Sequence, residues 1–179
     1  TCNVMQASHK YVVKKLLYLA SSCCYPRECL QPMRVEHLMT GPLEPTNQAY
    51  ASAKLAGLEL CNAYRTQYKS EFIGAITANV FGPGDDFSSD DSHVIAGLIR
   101  KMHEAKLAGA DYVELWGTGT PQREFIFAAD VGDACLFLMD NYANPAPINI
   151  GARSQRASIK ELAFLIKETV GYSGEIRFD

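Results

Sequence analysis

The chain has 179 residues, 47% of them hydrophobic and 21% charged, with a formal net charge of -3. That length is enough for one full hydrophobic core or for part of a larger one, in the composition of an ordinary globular protein. The Lys and Arg residues are scattered rather than striped, which excludes nucleic acid as a partner. No stretch approaches the roughly 20 apolar residues of a membrane span, so no membrane partner is expected and the default compartment is the cytoplasm.

Val4, Met5, Val12 and Val13 read as the body of a first helix, and Leu16 to Ala20 as a buried strand running into "SSCCYP". A proline-broken loop follows from Tyr25 to Pro45. Thr46 or Asn47 can cap a long helix, "QAYASAKLAGLELCNAYRTQY", rich in Ala, Leu and Lys. "FIGAITANVFG" is a continuous apolar and β-branched run that suits a strand covered on both faces.

Val94, Leu98 and Met102 form one stripe of a further helix that stops near Gly109. Short strands at Tyr112 to Leu115 and Glu124 to Phe127 surround "WGTGTPQR", whose Gly-x-Gly opens no helix and so reads as a turn. A helix from about Asp130 to Met139, a short strand "INIG", and a helix beginning with the capping box Ser158 and Glu161 and ending at Gly171 complete the chain.

This order implies an α/β fold: the C-terminal part of a Rossmann-type, doubly wound parallel sheet plus a smaller α/β substrate-binding lobe. Residues 1–91 would form the sheet part and 92–179 mainly the lobe, with 123–150 partly returning to the sheet. Ligands in such folds bind beyond the carboxyl ends of the strands, here "SSCCYP" and "TANVFGPG". The cysteines Cys2, Cys23, Cys24, Cys29, Cys61 and Cys135 show no CxxC pair and no zinc-like spacing. They read as reduced thiols, most of them buried, with no disulfide framework and no metal site.

Tyr50 and Lys54 lie four apart and so project from one helix face. An ammonium beside a phenol favours the phenolate, which suits the pair to proton transfer near neutral pH. Alone, this spacing recurs on many solvated helix faces. Ser21, at a strand end some thirty residues upstream, supplies the context: it can donate to the carbonyl oxygen that Tyr50 protonates.

These residues, with "TANVFGPGD" and "REFIFAADVGDA", resemble the extended, sugar-nucleotide branch of the short-chain dehydrogenase/reductase family. "SSCCYP", "GPLEPTNQAYASAKLAGLELC", "SHVIAGLIRKMHEA" and "WGTGTPQREFIFAAD" keep the order and spacing of those members that epimerise and then reduce GDP-4-keto-6-deoxy-mannose. The resemblance implies NADP(H) as cofactor, a GDP-sugar as substrate and a homodimer through the Tyr50 helix. It implies Ser21, Tyr50 and Lys54 as the reducing residues, with Cys23 and His93 moving protons at the carbons beside the ketone. It places Leu19, Ala20, Ser21, Ser22, Tyr50, Lys54, Thr77, Ala78, Asn79, Val80 and His93 against the cofactor, and Lys101, Trp116 and Arg123 against the substrate.

The sequence departs from the family at Ala20, Thr77 and Phe81, where Gly, Pro and Tyr are usual, and at Lys101, where an Arg is usual. Cys24 has no family role and reads as packing. The family's glycine-rich phosphate turn has no counterpart, so the chain reads as the portion that follows it, inactive by itself. Two other readings stay open: a related 4-epimerase or 4-ketoreductase with Cys23 a bystander, and a truncated, non-catalytic dimerisation module.

Overall fold

The computed structural model describes residues 1–88, 92–152 and 156–179. In chain order its elements are α1 (Cys2–Lys10), β1 (Lys15–Ser21), α2 (Gln48–Tyr68), β2 (Glu71–Thr77), β3 (Asn79–Phe81), α3 (Val94–Ala108), β4 (Tyr112–Leu115), β5 (Gln122–Phe127), α4 (Ala128–Asn141), β6 (Ile148–Ile150), β7 (Arg156–Ser158), α5 (Ile159–Val170) and β8 (Glu175–Phe178). Single 3₁₀ turns at Ser22–Cys24, Val35–His37 and Pro45–Asn47 punctuate the loop regions. Two compact units result, one of Thr1–Asn79 with Ala129–Gly151, the other of Val80–Ala128 with Ala152–Asp179. No helix among the described residues is long and apolar enough to cross a membrane.

The first unit is a parallel sheet in the order β1-β2-β6, as the alternation of strands and helices implies. Side chains alternate across a strand. Leu16, Tyr18 and Ala20 of β1 therefore share a face with their partners Phe72, Gly74 and Ile76 of β2. That face meets α2, where Leu58 and Cys61 join the cores around Ile76 and Phe72. Phe72 and Ile73 point to opposite sides and are each 1% exposed, so β2 is covered on both faces.

Two glycines let α2 approach. A Cβ on Gly57 would lie 2.2 Å from Tyr18 Cζ, and one on Gly74 would lie 2.5 Å from Leu58 Cδ2. Tyr18 thus enters α2 at residue 57 while Leu58 enters the sheet at residue 74. This reciprocal fit sets the height and register of α2, and with them the positions of Tyr50 and Lys54. On the other face Lys15 Nζ donates to Met139 O at 2.7 Å, tying the end of α4 to the start of β1.

Several expectations are corrected. Helix α1 stops at Lys10, and Val12 and Val13 lie beyond it. Val12 stands at φ 54 and is 82% exposed, because the chain must reverse there to enter β1. The run "FIGAITANVFG" is two strands: β2 pairs with β1 and β6, whereas β3 pairs with β5 in another sheet. Of the six thiols, Cys24 and Cys61 are buried, Cys23, Cys29 and Cys135 are partly exposed and Cys2 is exposed, so most are not buried.

The second unit is built on α3, α5, β4 and β8, with the β3-β5-β7 sheet. Leu98, Met102, Val113, Leu115, Phe125, Leu162, Ala163, Ile166 and Tyr172 form its core. Val94 of the expected stripe is 37% exposed in the first turn of α3, beyond the reach of that core. The capping box of α5 is present: Ser158 accepts from Glu161 N, and the Glu161 carboxylate accepts from Ser158 N at 2.8 Å. Strands β7 and β8 were not expected from the sequence. β8 runs parallel to β4, Tyr112 opposite Glu175 and Leu115 opposite Phe178.

Candidate active site

At the carboxyl end of β1 the chain turns sharply through Ser22–Cys24. Ser21 caps this turn, its Oγ accepting from Cys23 N at 3.3 Å. Because that oxygen already accepts from the backbone, the hydroxyl proton is left for a ligand oxygen. Cys24 is fully buried, its thiol 3.9 Å from Ala51 O, and burial pushes that thiol up from its ordinary value. The next residue anchors the loop: the Tyr25 hydroxyl donates to Asn149 Oδ1 at 2.6 Å, and Asn149 Nδ2 donates to Met33 O at 3.2 Å. Burial pushes the Tyr25 phenol up to about 12, so it remains a neutral donor.

Cys23 itself is only partly buried. Its Sγ accepts from Asn47 Nδ2 at 3.2 Å. Thr46 or Asn47 was expected to cap α2; Asn47 occupies the N-cap position, but its side chain makes no cap hydrogen bond. Its Oδ1 is buried with no partner among the described residues. A buried acceptor of this kind is costly unless a ligand donor fills it.

One turn into α2, Tyr50 is 50% exposed. Lys54 Nζ lies 5.7 Å from the Tyr50 ring centroid and 5.5 Å from that of Tyr18, and donates to Leu19 O at 2.9 Å. One of its three protons is thus spent on the strand end and two remain for a ligand. Thr77 Oγ1 donates to Ala20 O at 3.3 Å, a cross-strand bond that the proline usual at this position could not make, and Ala78 N donates to Ile150 O. Leu19, Ser21, Cys23, Tyr50, Lys54 and Thr77 therefore gather in the first unit around the ends of β1 and β2, with Ser22, Ala78 and Asn79 adjoining in sequence.

The second unit carries the others. His93 begins α3, its Nδ1 3.6 Å from Asp85 Oδ1. Lys101 Nζ donates to Glu114 O at the end of β4. Trp116, immediately after, is 89% exposed, and the turn beyond it contains Gly117 at φ 73 and Gly119 at φ 71, which confirms "GTGT" as a turn. Arg123 sits on β5 opposite Ala157 and donates to Gln122 O at 2.9 Å. Val80 stands in β3.

The residues missed from the sequence are Asn47, Asp85 and Asn149. Asn47 carried a signal, since "EPTN" brings an amide to the helix start three residues before Tyr50. Asp85 follows Gly-Pro-Gly directly, ahead of α3 in the sequence. Asn149 gave none, because its partner Tyr25 is 124 residues away.

Residues 1–151 match the NAD dependent epimerase/dehydratase family. The chain belongs to that family. It is 49% identical to the GDP-L-fucose synthase of Sinorhizobium fredii over 177 residues, which cover 99% of this chain and 56% of that relative. The NADP-bound GDP-L-fucose synthetase of Naegleria fowleri superposes with a TM-score of 0.93 at 30% identity, covering 99% of this chain and 57% of that one. The NADP-bound GDP-mannoheptose C4 reductase of Campylobacter jejuni gives 0.87 at 32%, covering 99% and 63%. The chain thus spans a little over half the length of the curated relatives it matches. As a member of this family it is of the Rossmann type, in keeping with its parallel β1-β2-β6 sheet.

Proposed function

We propose that this chain supplies the proton-transfer and carbonyl-reducing residues of an NADPH-dependent enzyme. On this reading it epimerises GDP-4-keto-6-deoxy-mannose beside its ketone and reduces it to GDP-L-fucose. The observation that carries the reading is the pairing of Cys23 with Asn47 in the same unit as Ser21, Tyr50 and Lys54. Ketone reduction by Ser21, Tyr50 and Lys54 leaves this thiol without a part, whereas proton transfer beside the ketone gives it one.

The exposed edge of Leu19 and the unspent protons of Lys54 suit a nicotinamide and its ribose hydroxyls. Bound there, NADPH supplies the hydride for the ketone carbon. Ser21 donates to the ketone oxygen, and Tyr50 donates the proton that the new alkoxide takes up. The same two donors stabilise the enolate that forms when a proton leaves a flanking carbon. Cys23 and His93 remove and return the protons at those carbons. Trp116 and Arg123 serve the substrate, the guanidinium being suited to a diphosphate. Lys101 adds charge without the fork of an Arg.

The same reading makes α2 the contact of a homodimer, which light scattering of the full gene product tests, and places the enzyme in the cytoplasm. For the reaction, the decisive variant is Cys23→Ser in the full gene product. Proton NMR in deuterated water should show loss of exchange beside the ketone while NADPH-dependent reduction continues, giving an uninverted product. Inverted product formed at the wild-type rate would sink the epimerase reading and leave a 4-ketoreductase.

A further inference from the structure

We propose that Asp85 is a positioning residue for His93, fixing the imidazole as the Nδ1–H tautomer so that Nε2 is the atom that exchanges a proton with substrate. The inference rests on the proton-transfer role given to His93 above.

His93 occupies the N-cap of α3, and its carbonyl accepts from Gly97 N at 2.9 Å, yet its side chain caps nothing. The space above the first turn belongs to its neighbour: a Cβ on Gly97 would lie 2.9 Å from Ser92 Oγ. The ring lies instead beside Asp85, Nδ1 to Oδ1 being 3.6 Å. The two side chains differ sharply in exposure, 80% for His93 and 17% for Asp85. The carboxylate is therefore the fixed member, further held because Oδ1 accepts from Asp86 N at 2.8 Å, while the imidazole is largely exposed.

A carboxylate only accepts hydrogen bonds. A ring nitrogen that bonds to it carries the proton, and a neutral imidazole has one N–H, so closing the 3.6 Å contact to hydrogen-bond length leaves the lone pair on Nε2. A proton leaving a substrate carbon goes to Nε2, its bonding electrons stay in the enolate, and the imidazolium formed is paired with Asp85. The reverse transfer restores the starting state. Contacts of this kind are often long without ligand and shorten in the complex.

The test uses the full gene product with ¹⁵N-labelled histidine, His93 being assigned by the signals lost in His93→Gln. Wild type should show the Nδ1–H pattern. Asp85→Asn, whose amide offers either a donor or an acceptor, should lose the single tautomer. Its solvent exchange beside the ketone should fall about 10- to 100-fold, with ketone reduction and substrate KM unchanged, and Asp85→Glu should restore part of the exchange. An unaltered tautomer pattern in Asp85→Asn, or equal losses of exchange and reduction, overturns the inference. If His93→Gln keeps full exchange, the role of His93 itself fails. An unchanged Asp85→Asn spectrum beside an exchange-dead His93→Gln sinks the present inference alone.

Discussion

The two units hold their site residues in different ways. In the first, Cys23 is tied to Asn47, Lys54 to Leu19 O, Thr77 to Ala20 O, and the loop beyond Cys23 to Asn149 through Tyr25, while Tyr50 is half exposed. In the second, Trp116 stands out from a turn and Arg123 from the central strand β5, where it bonds only to its neighbour's carbonyl among the contacts described, while Lys101 bonds to Glu114 O and His93 faces Asp85. The difference follows the chemistry. The hydride and proton transfer at the ketone proposed for the first unit demand placement to a fraction of an ångström, which a packed strand end supplies, whereas His93, the proton carrier proposed in the second unit, is 80% exposed. The diphosphate contact proposed for Arg123 demands reach and charge, which a long exposed guanidinium can supply.

Variants can break this contrast or sharpen it. The largest effect is expected for Tyr50→Phe, which removes the proposed acid: NADPH oxidation with GDP-4-keto-6-deoxy-mannose should drop about 10²- to 10⁴-fold with KM little changed. Arg123→Ala should do the reverse. Loss of charge-assisted hydrogen bonds worth about 1.5–3 kcal/mol should raise KM about 10- to 150-fold and leave kcat largely intact. An Arg123→Ala loss confined to kcat would erase the division between the units.

Gly57→Ala tests the seating of α2. The added methyl meets Tyr18, so unfolding in urea should show a loss of about 1–3 kcal/mol. The mutation also moves Tyr50 and Lys54, so kcat should fall with it. An unchanged midpoint would show that Tyr18 yields freely.

The smallest effect belongs to the second unit. Ser158→Ala removes the α5 cap and should cost about 1 kcal/mol in thermal unfolding. The backbone and side-chain hydrogen bonds from Ser158 hold the Glu161 carboxyl below its ordinary value. A lowered carboxylate value contributes stability that is complete above the unfolded-state value and is lost as pH falls through the folded one. The difference between wild type and Ser158→Ala should therefore shrink on acidification from neutral pH. A difference that grows in acid would reverse the sign and exclude the carboxylate.

Helices α2 and α5 were legible because their signals are local: Ala and Leu content in one, Ser158 and Glu161 three apart in the other. Strands β7 and β8, of three and four residues, are too short to show a period, and β8 exists because β4 offers it a parallel edge. Asn47 reads as a cap by local rules, but a thiol 24 residues upstream claims its amide. Val12 and Val13 fit a helical stripe by hydropathy, and the turn into β1 overrides it.

What the sequence determined by itself is which groups stand one turn or one strand end apart: Ser21 with Cys23, and Tyr50 with Lys54. Those relations follow from the fixed geometry of a single helix or strand and need no partner. Only the tertiary structure decided what holds each group. The amide on Cys23 and the strand carbonyl on Lys54 come from 24 and 35 residues away. Contacts of that kind depend on how α2 seats against the sheet through Gly57 and Gly74, and no local pattern encodes that seating.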